Sequence, residues 1–275
     1  MEIIKNQRPK EPIIKKKRLI FRLNRFLTNV FNFFYRGHLR YHALNAEESL
    51  KMLLKTKKSY IRFGDGESDI LVGFDRATQV YDRNLRKALI KIIKDYNPYC
   101  NYLLGLSNWN LTQSVQELKA TPQKRKYRMW RYMRYVFWRL GMDKIDMPFL
   151  ETDMFRVGPV GLERHKIEKL WANVTNIIMI HNSEEYFRWF SKEYNSKIIY
   201  FITIPDKNFF SVLPETQEKI IRLVKDNHIS KDNLVILVAA GAGAKVLCYN
   251  LCQKDDNYLC YDMGHFFHMH YHDSK

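Results

Sequence analysis

The feature that most constrains the fold of this chain is an alternation of short apolar runs with amphipathic segments. The apolar runs are rich in β-branched and aromatic residues, and they are Ser59–Phe63, Tyr102–Leu106, Val174–Ile180, Lys197–Ile204 and Leu234–Ala239. Apolar residues at helical spacing occupy Ala46–Leu54, Leu85–Lys94, Glu184–Glu193 and Gln217–Asp226. Parallel strands are buried on both faces and are joined by helical crossovers, so this order predicts an α/β domain. We expect a mostly parallel, Rossmann-like sheet with helices on both faces and a ligand site beyond the carboxyl ends of its strands.

An acidic, glycine-rich turn follows the first predicted strand. Residues 62–69 are Arg-Phe-Gly-Asp-Gly-Glu-Ser-Asp, which places Asp65 and Glu67 two residues apart. Two carboxylates at that spacing on a strand end can project to the same side and share a divalent cation, which keeps positions open for a substrate diphosphate. Gly64 and Gly66 let the backbone approach a ligand closely. A surface turn remains an alternative, because Gly-Asp-Gly is also common turn chemistry.

A second turn of small residues follows the last predicted strand. The sequence Ala239-Ala240-Gly241-Ala242-Gly243-Ala244-Lys245 precedes a predicted helix at Val246–Leu251. Backbone N–H groups at such a helix start bind phosphate, and Lys245 adds a positive charge. The turn is neither a Walker A motif nor a complete GxGxxG motif, and tight packing of the strand against the helix explains its glycines equally well.

Two blocks of the sequence resemble the GT-D-type bacterial glycosyltransferases. The first is RFGDGE at residues 62–67 with Tyr81-Asp82 further along, and the second is LVILVAAGAGAKVLCYNL at residues 234–251, followed by Asp262-Met263-Gly264-His265. The resemblance covers about residues 46–272. It implies metal-dependent transfer of a hexose from a nucleotide sugar, UDP-glucose or a related UDP-sugar, to a glycan acceptor on a lipid or protein carrier. The setting it implies is bacterial surface polysaccharide or glycoprotein assembly.

The same resemblance implies roles for individual residues. Asp65 and Glu67 are expected to bind Mn²⁺ or Mg²⁺, and Asp82 and His265 are the candidate catalytic residues. Asp82 is the candidate base for the acceptor hydroxyl, whereas His265 is expected to contact a substrate phosphate or hydroxyl, with an acid or base role open. The expected donor-binding residues are Arg62, Gly64, Gly66, Asp69, Gly241, Gly243 and Lys245.

The carboxyl-terminal segment departs from the family pattern. The family has an acidic residue before a Tyr, whereas this chain has His270 before Tyr271, so a base at that position is absent or moved. His268, His270 and His272 alternate, and on a strand they would share one face and could bind metal. A basic, aromatic tail on the surface is the alternative.

The amino-terminal part is strongly basic. The chain has a formal net charge of +17, and residues 1–40 contain eleven Lys or Arg against two Glu. A helical stripe of apolar residues follows the basic run Lys15–Arg18, and its members are Leu19, Leu23, Phe26, Leu27, Val30, Phe31 and Phe34. The sequence predicts an arm over residues 1–45 and a glycosyltransferase-like domain over residues 46–275. Residues 15–36 are expected to lie on an anionic membrane surface, with packing against the domain or a second subunit as alternatives.

Charged and polar interruptions exclude a spanning helix there, and no signal-peptide cleavage site follows, so we expect a cytoplasmic protein peripheral to the inner face of the plasma membrane. Four cysteines without a CxxC pair indicate reduced core residues rather than a zinc site. Residues 124–139 interleave seven basic residues with six aromatics, which suits an ordinary packed helix, an acceptor groove or a membrane contact. No nucleic-acid-binding module accompanies them, so nucleic acid is not an expected partner.

The sequence is also compatible with two other functions. One is a non-catalytic basic adaptor that binds membranes or nucleic acid and retains the fold. The other is a metal-dependent phosphodiesterase or hydrolase that uses Asp65, Glu67 and the carboxyl-terminal histidines.

Overall fold

The computed structural model describes residues 11–107, 112–120, 124–253 and 257–274. At residues 11–21, 65, 124–126, 128 and 129 it describes the backbone and not the side chain.

A seven-stranded sheet forms the centre of the described part, and all of its strand pairs are parallel. The strands are β1 Ser59–Phe63, β2 Tyr102–Leu106, β3 Leu150–Glu151, β4 Asn176–His181, β5 Ile198–Thr203, β6 Leu234–Val238 and β7 Cys260–Asp262. Their order across the sheet is β3-β2-β1-β7-β6-β4-β5. The predicted parallel α/β fold is therefore confirmed. Strands β1, β2 and β6 are buried along their whole length, as expected for strands covered on both faces.

Helices surround the sheet. They are α1 Glu11–Phe34, α2 Ala46–Thr56, α3 Asp65–Val72, α4 Arg83–Lys94, α5 Val115–Ala120, α6 Lys124–Arg139, α7 Arg164–Ile167, α8 Glu184–Glu193, α9 Leu213–Asp226, α10 Gly241–Leu251 and α11 Phe266–Asp273. Side-chain caps fix several helix starts, because the first N–H groups of a helix have no partner within it. Asn45 accepts from the N–H of Glu48 before α2, and Ser183 accepts from the N–H of Tyr186 before α8.

Two segments differ from the sequence prediction in their local structure. The acidic turn after β1 is the first turn of α3, and the carboxyl-terminal histidines lie on α11 rather than on a strand or a surface tail. His270 therefore faces away from the other two, because residues two apart on a helix do not face each other, whereas the rings of His268 and His272 lie 4.7 Å apart. His270 is buried, whereas His268 and His272 are exposed.

Helix α6 packs into the core. Met133, Val136 and Phe137 are buried, and the buried Arg134 donates to the carbonyl oxygens of Gln113, Tyr35 and Gly37. This part of the basic, aromatic segment therefore follows the packed-helix alternative. All four cysteines are buried and unpaired, which agrees with the expected core role.

Helix α1 lies against α6 by a side that combines the apolar Phe31 with polar residues. Asn24, Thr28, Phe31 and Asn32 are buried, and the side chain of Asn32 donates to the carbonyl oxygen of Arg131 on α6. The stripe that the sequence predicts to be buried or membrane-facing is mostly exposed, since within it Leu23, Phe26, Val30 and Phe34 face solvent. No helix in the described ranges is both long enough and apolar enough to cross a bilayer.

Gly105 on β2 allows a long contact across three strands. The side chain of Tyr60 on β1 passes over Gly105, and its hydroxyl donates to the carbonyl oxygen of Glu151 on β3 at 2.7 Å. A Cβ at residue 105 would lie 2.5 Å from the Tyr60 hydroxyl oxygen, a distance that the packed sheet has no room to relieve.

We expect Gly105→Ala to lower the free energy of unfolding by about 1–3 kcal/mol, because overpacking forces side chains and backbone to shift. The change is measured by denaturant unfolding followed by circular dichroism. Gly37→Ala is the matched control, since a Cβ there would meet no atom within 4 Å. Equal unfolding midpoints for the two variants would contradict the prediction.

Candidate functional site

A cleft of about 670 Å³ opens where the carboxyl ends of several strands meet. The loops after β1, β4, β5, β6 and β7 all contribute to its wall. Strands β1 and β7 are adjacent in the centre of the sheet, and β1, β2 and β3 continue to one side while β6, β4 and β5 continue to the other. The cleft therefore lies at the reversal of strand order, where open α/β sheets bind their ligands.

Lys245 is a buried cation beneath the cleft. Its Nζ lies 2.9 Å from Asp262 Oδ2 and 3.2 Å from Glu67 Oε1, and it donates to the carbonyl oxygen of Gly241 at 3.0 Å. Burial alone lowers the pKa of a lysine, but Asp262 and Glu67 outweigh it and raise the pKa of Lys245. These three contacts match the three donors of an ammonium group. Lys245 thus joins α10 to α3 and β7, and all three N–H donors of its ammonium group are used within the protein rather than by a phosphate.

Glu67 serves the backbone as well as Lys245. Its Oε2 accepts from the N–H of Gly64 at 2.8 Å, which satisfies one of the open N–H groups at the start of α3. A carboxylate in the first helical turn also interacts favourably with the helix dipole. Asp65 is the first residue of α3, and its side chain lies outside the described part of the structure. A shared metal is no longer expected from the two-residue spacing alone, because these residues are on a helix.

Asp262 connects β7 to the floor of the cleft. Its Oδ1 accepts from the N–H of Gly264 at 3.2 Å, and its Oδ2 lies 3.4 Å from the N–H of Arg62 on β1. Gly264 has a φ of 54°, and a Cβ there would collide with the guanidinium group of Arg62. The glycine of the Asp-Met-Gly-His block is therefore required for Arg62 to reach the cleft.

Arg62 lines the cleft with a buried guanidinium group. Burial lowers the pKa of an arginine, but Asp262 and other acidic neighbours raise that of Arg62, so the group is permanently charged. Its nearest ion-pair partner in the described ranges is Asp153 at 4.0 Å, and its Nε has no hydrogen-bond partner there. A guanidinium group in the cleft wall whose nearest carboxylate is 4.0 Å away suits an anionic ligand.

Two further arginines in the cleft wall were not identified from the sequence. Arg76 pairs with Asp69 at 3.1 Å, and Arg156 pairs with Asp153 at 3.0 Å. Asp69 thus does not line the cleft itself but forms an ion pair with Arg76, which does. Isolated arginines outside any motif give no sequence signal, and only the fold brings Arg76 and Arg156 beside Arg62.

The other end of the cleft is formed by polar and aromatic side chains. Burial lowers the pKa of His181, at the end of β4, to about 4, and its Nδ1 accepts from the N–H of Ser183. Asn182 donates to Asp206 Oδ1, and the hydroxyl of Tyr186 lies 2.7 Å from His268 Nδ1. The sequence signal for this end of the cleft is the polar segment His181–Ser183, which directly follows an apolar run.

The remaining predicted residues are placed as follows. Gly64, Gly66, Gly241 and His265 line the cleft, and Gly241 has a φ of 56° at the start of α10. Partial burial, with Arg156 and Arg62 nearby, lowers the pKa of His265.

Two predicted residues have other surroundings. Asp82 lies outside the cleft lining and caps α4, because its Oδ1 accepts from the N–H groups of Asn84 and Leu85. Gly243 packs against Phe209, since a Cβ at residue 243 would lie 2.5 Å from that ring. Tight packing, the alternative left open by the sequence, explains this second glycine.

The donor chemistry at the start of α3 fits a hard divalent cation in part. Carboxylate oxygens suit Mg²⁺ or Mn²⁺, and one or two of them leave positions for substrate oxygens. Among the described side chains, however, no group of three His, Cys, Asp or Glu is arranged to hold a metal. The Glu67 carboxylate would share its Oε1 with Lys245, so Asp65 is needed to complete such a site.

An open parallel sheet with a cationic cleft at its switch point defines an α/β domain built to bind an anionic ligand. Residues 60–272 match the family described as glycosyltransferase GT-D fold. The chain therefore belongs to the GT-D glycosyltransferase family, as the sequence blocks indicated.

Related proteins agree with this assignment. The probable glycosyl transferase Gly of Streptococcus gordonii is 26% identical over 229 residues, which are 81% of this chain and 32% of the relative. The chain thus spans about a third of the length of this curated relative. A solved structure described as the highly conserved domain of unknown function 1792, with a distinct glycosyltransferase fold, has a TM-score of 0.62 at 22% identity, covering 93% of this chain and 85% of that one. A structure described as a new glycosyltransferase from Streptococcus sanguinis has a TM-score of 0.64 at 21% identity and covers 86% and 85%.

Removal of the buried cation is expected to destabilise the fold. Lys245→Met leaves the Glu67 and Asp262 carboxylates unpaired, and loss of one partner of a buried ion pair costs about 3–5 kcal/mol. We expect a loss of that size in the free energy of unfolding, measured by denaturant titration. Lys245→Met/Asp262→Asn should recover part of the loss, because one unpaired charge is removed with its partner. A single variant within about 1 kcal/mol of wild type would contradict this role.

His181 is expected to make stability fall with acid. Its folded pKa of about 4 lies below the ordinary 6.5, so the unfolded chain binds more protons between these values. The free energy of unfolding should therefore drop by about 2 kcal/mol from this residue as the pH falls from roughly 6.5 to 4.5. His181→Asn keeps an acceptor for the N–H of Ser183 and should remove that part of the pH dependence. The exposed His42→Asn is the control, and the same acid dependence in both variants would exclude the effect.

Proposed function

We propose that the protein is a metal-dependent glycosyltransferase that moves a hexose from a nucleotide sugar, UDP-glucose or a related UDP-sugar, to a glycan acceptor. The observation that carries the donor part is the guanidinium group of Arg62 in the cleft wall, whose nearest ion-pair partner among the described residues is 4.0 Å away. A diphosphate is the anion that suits it, because guanidinium groups bind phosphate oxygens with charge-assisted hydrogen bonds.

The cleft has the charge needed to stabilise the leaving nucleotide diphosphate. Arg62, Arg76 and Arg156 line one wall, and the α10 start at Gly241 presents backbone N–H groups to the same space. Negative charge grows on the departing diphosphate as the glycosidic bond breaks, and fixed positive groups lower the energy of that state. The carboxylates that hold these arginines are already in place, so little reorganisation is required.

A divalent cation, Mn²⁺ or Mg²⁺, is proposed to bind at Asp65 and Glu67. Bound there, it would act as a Lewis acid on the diphosphate oxygens. Glu67 is held by the ammonium group of Lys245 and by the N–H of Gly64, so one carboxylate of the pair is oriented before any ligand binds.

His265 is the best-placed base for the acceptor hydroxyl. It lines the cleft, and its lowered pKa keeps the imidazole neutral and able to accept a proton near neutral pH. His181 is less suited, because its Nδ1 already accepts from the N–H of Ser183 and its other nitrogen therefore carries the proton. Asp206 beside Asn182 offers an acceptor for sugar hydroxyl groups at the far end of the cleft.

Calorimetric binding of a panel of nucleotides and nucleotide sugars, with and without Mn²⁺, tests the donor site. We expect one UDP-sugar to bind in a metal-dependent way, and Asp65→Asn/Glu67→Gln to abolish the effect of metal. Arg156→Gln should weaken binding at least about tenfold, because a charge-assisted hydrogen bond contributes roughly 1.5–3 kcal/mol. Arg222→Gln is the control, since that exposed residue pairs with Glu218 on α9.

The same experiment separates this function from its two rivals. Absence of binding to every nucleotide sugar in the wild-type protein would contradict the transferase and favour a basic adaptor, whose polyanion binding weakens steeply with salt. Hydrolysis of the donor without an acceptor, lost on His268→Asn, would instead favour the hydrolase. Retention of the donor until a glycan acceptor is added supports the transferase.

A further inference from the structure

The exposed apolar face of α1 is larger than a surface helix needs. Leu23, Phe26, Val30, Phe33 and Phe34 recur at helical spacing on the side that faces away from α6, and Phe26 and Phe34 are 62% and 73% exposed. Contiguous exposed apolar residues of this kind mark an interaction site. We name these five residues the outer face of α1.

The packing of α1 leaves this outer face uncovered by the described part of the domain. Besides the buried Phe31, polar side chains fix the helix to the domain: Asn24 donates to the carbonyl oxygen of Val72 on α3, and Asn32 donates to that of Arg131 on α6. Buried side-chain amides are tolerated because they are hydrogen-bonded. A helix stabilised only by contacts with its own domain would bury Phe26 and Phe34 and expose these asparagines.

Positive charge surrounds the outer face. Arg22 and Arg25 are exposed on the same helix, and the guanidinium group of Arg36 lies 4.6 Å from the ring of Phe33 just beyond its end. The run Lys15–Arg18 belongs to the same helix, and residues 1–40 hold only two acidic residues. A two-fold contact with a second copy would bring these like charges together, because a two-fold interface pairs each patch with itself. An anionic surface would instead attract these positive charges.

We propose that the outer face of α1 docks on an anionic phospholipid membrane. Its leucine, valine and phenylalanine side chains enter the boundary between headgroups and acyl chains, while the arginines and lysines remain at the anionic headgroups. The helix lies in the plane of the membrane surface, because its opposite side is fixed to the domain along its length.

The same contact holds the cleft near the membrane. Asn24 of α1 is bonded to the last residue of α3, and α3 begins at Asp65 in the candidate site, roughly 12 Å away along eight residues. This part of the inference rests on the proposed function: a glycan acceptor on a lipid carrier would then meet the cleft without leaving the bilayer.

Vesicle co-sedimentation tests the docking. Wild-type protein is mixed with vesicles of phosphatidylcholine alone, or of phosphatidylcholine with phosphatidylglycerol. We expect binding to the anionic vesicles and much weaker binding to the neutral ones, with a decrease as salt screens the charges. Phe26→Ser/Phe34→Ser and Arg22→Gln/Arg25→Gln should each lower the partition coefficient at least about tenfold.

Matched controls make the result specific. Tyr99→Ser removes an aromatic ring that is 93% exposed elsewhere, and Arg188→Gln/Arg222→Gln removes two exposed charges from α8 and α9; both should bind as wild type does. The outer-face variants alter exposed side chains, so their thermal unfolding should match that of the wild-type protein.

Two outcomes would overturn the inference. One is equal binding of the Phe26→Ser/Phe34→Ser protein and the wild type to anionic vesicles. The other is a wild-type dimer that this variant converts to monomer, with vesicle binding unaltered, which would assign the outer face to a second copy. Donor binding by calorimetry is measured in parallel, so that a failed donor site is distinguishable from a failed membrane contact.

Discussion

The ammonium group of Lys245 is the interaction on which the arrangement of the site depends. It joins three elements, since α10 provides Lys245, α3 provides Glu67 and β7 provides Asp262. Asp262 in turn receives N–H groups from β1 and from the loop that carries His265. Because both carboxylates lie within 3.2 Å of the same buried ammonium group, the strand ends that frame the cleft are fixed relative to one another.

Most strands of the sheet were predictable from the sequence because buried parallel strands carry a strong signal. Runs such as Leu234–Ala239 are apolar throughout, and no exposed helix tolerates that pattern. Strand β3, at Leu150–Glu151, was not predicted, since two residues are too few for any periodicity. The start of α10 was placed too late, because glycines lower helix propensity whereas here the packing of Gly243 against Phe209 overrides it.

Site residues were predictable only where a motif surrounds them. Arg62, Lys245 and His265 lie within the two family blocks, and all three line the cleft. Arg76 lies between the RFGDGE and Tyr81-Asp82 motifs but belongs to neither, and Arg156 lies outside both blocks. Their contribution depends on loops that the sheet brings together from distant parts of the chain. Asp82 shows the opposite case, because an Asp before a helix is as well suited to capping as to chemistry, and the structure shows the cap.

Helix α1 shows why an amphipathic pattern does not by itself reveal which side is buried. The apolar stripe suggested a buried side or a membrane side, but hydrogen bonds from Asn24 and Asn32 turn the polar side toward the domain. A polar side chain can be buried at little cost when its partner is a fixed backbone carbonyl, and that partner is invisible in the sequence. Phe26 and Phe34 stay mostly exposed, so burying their rings against another surface would be favourable. The polar packing of α1 and the cationic surroundings of its outer face thus have a single physical explanation in an anionic, apolar partner.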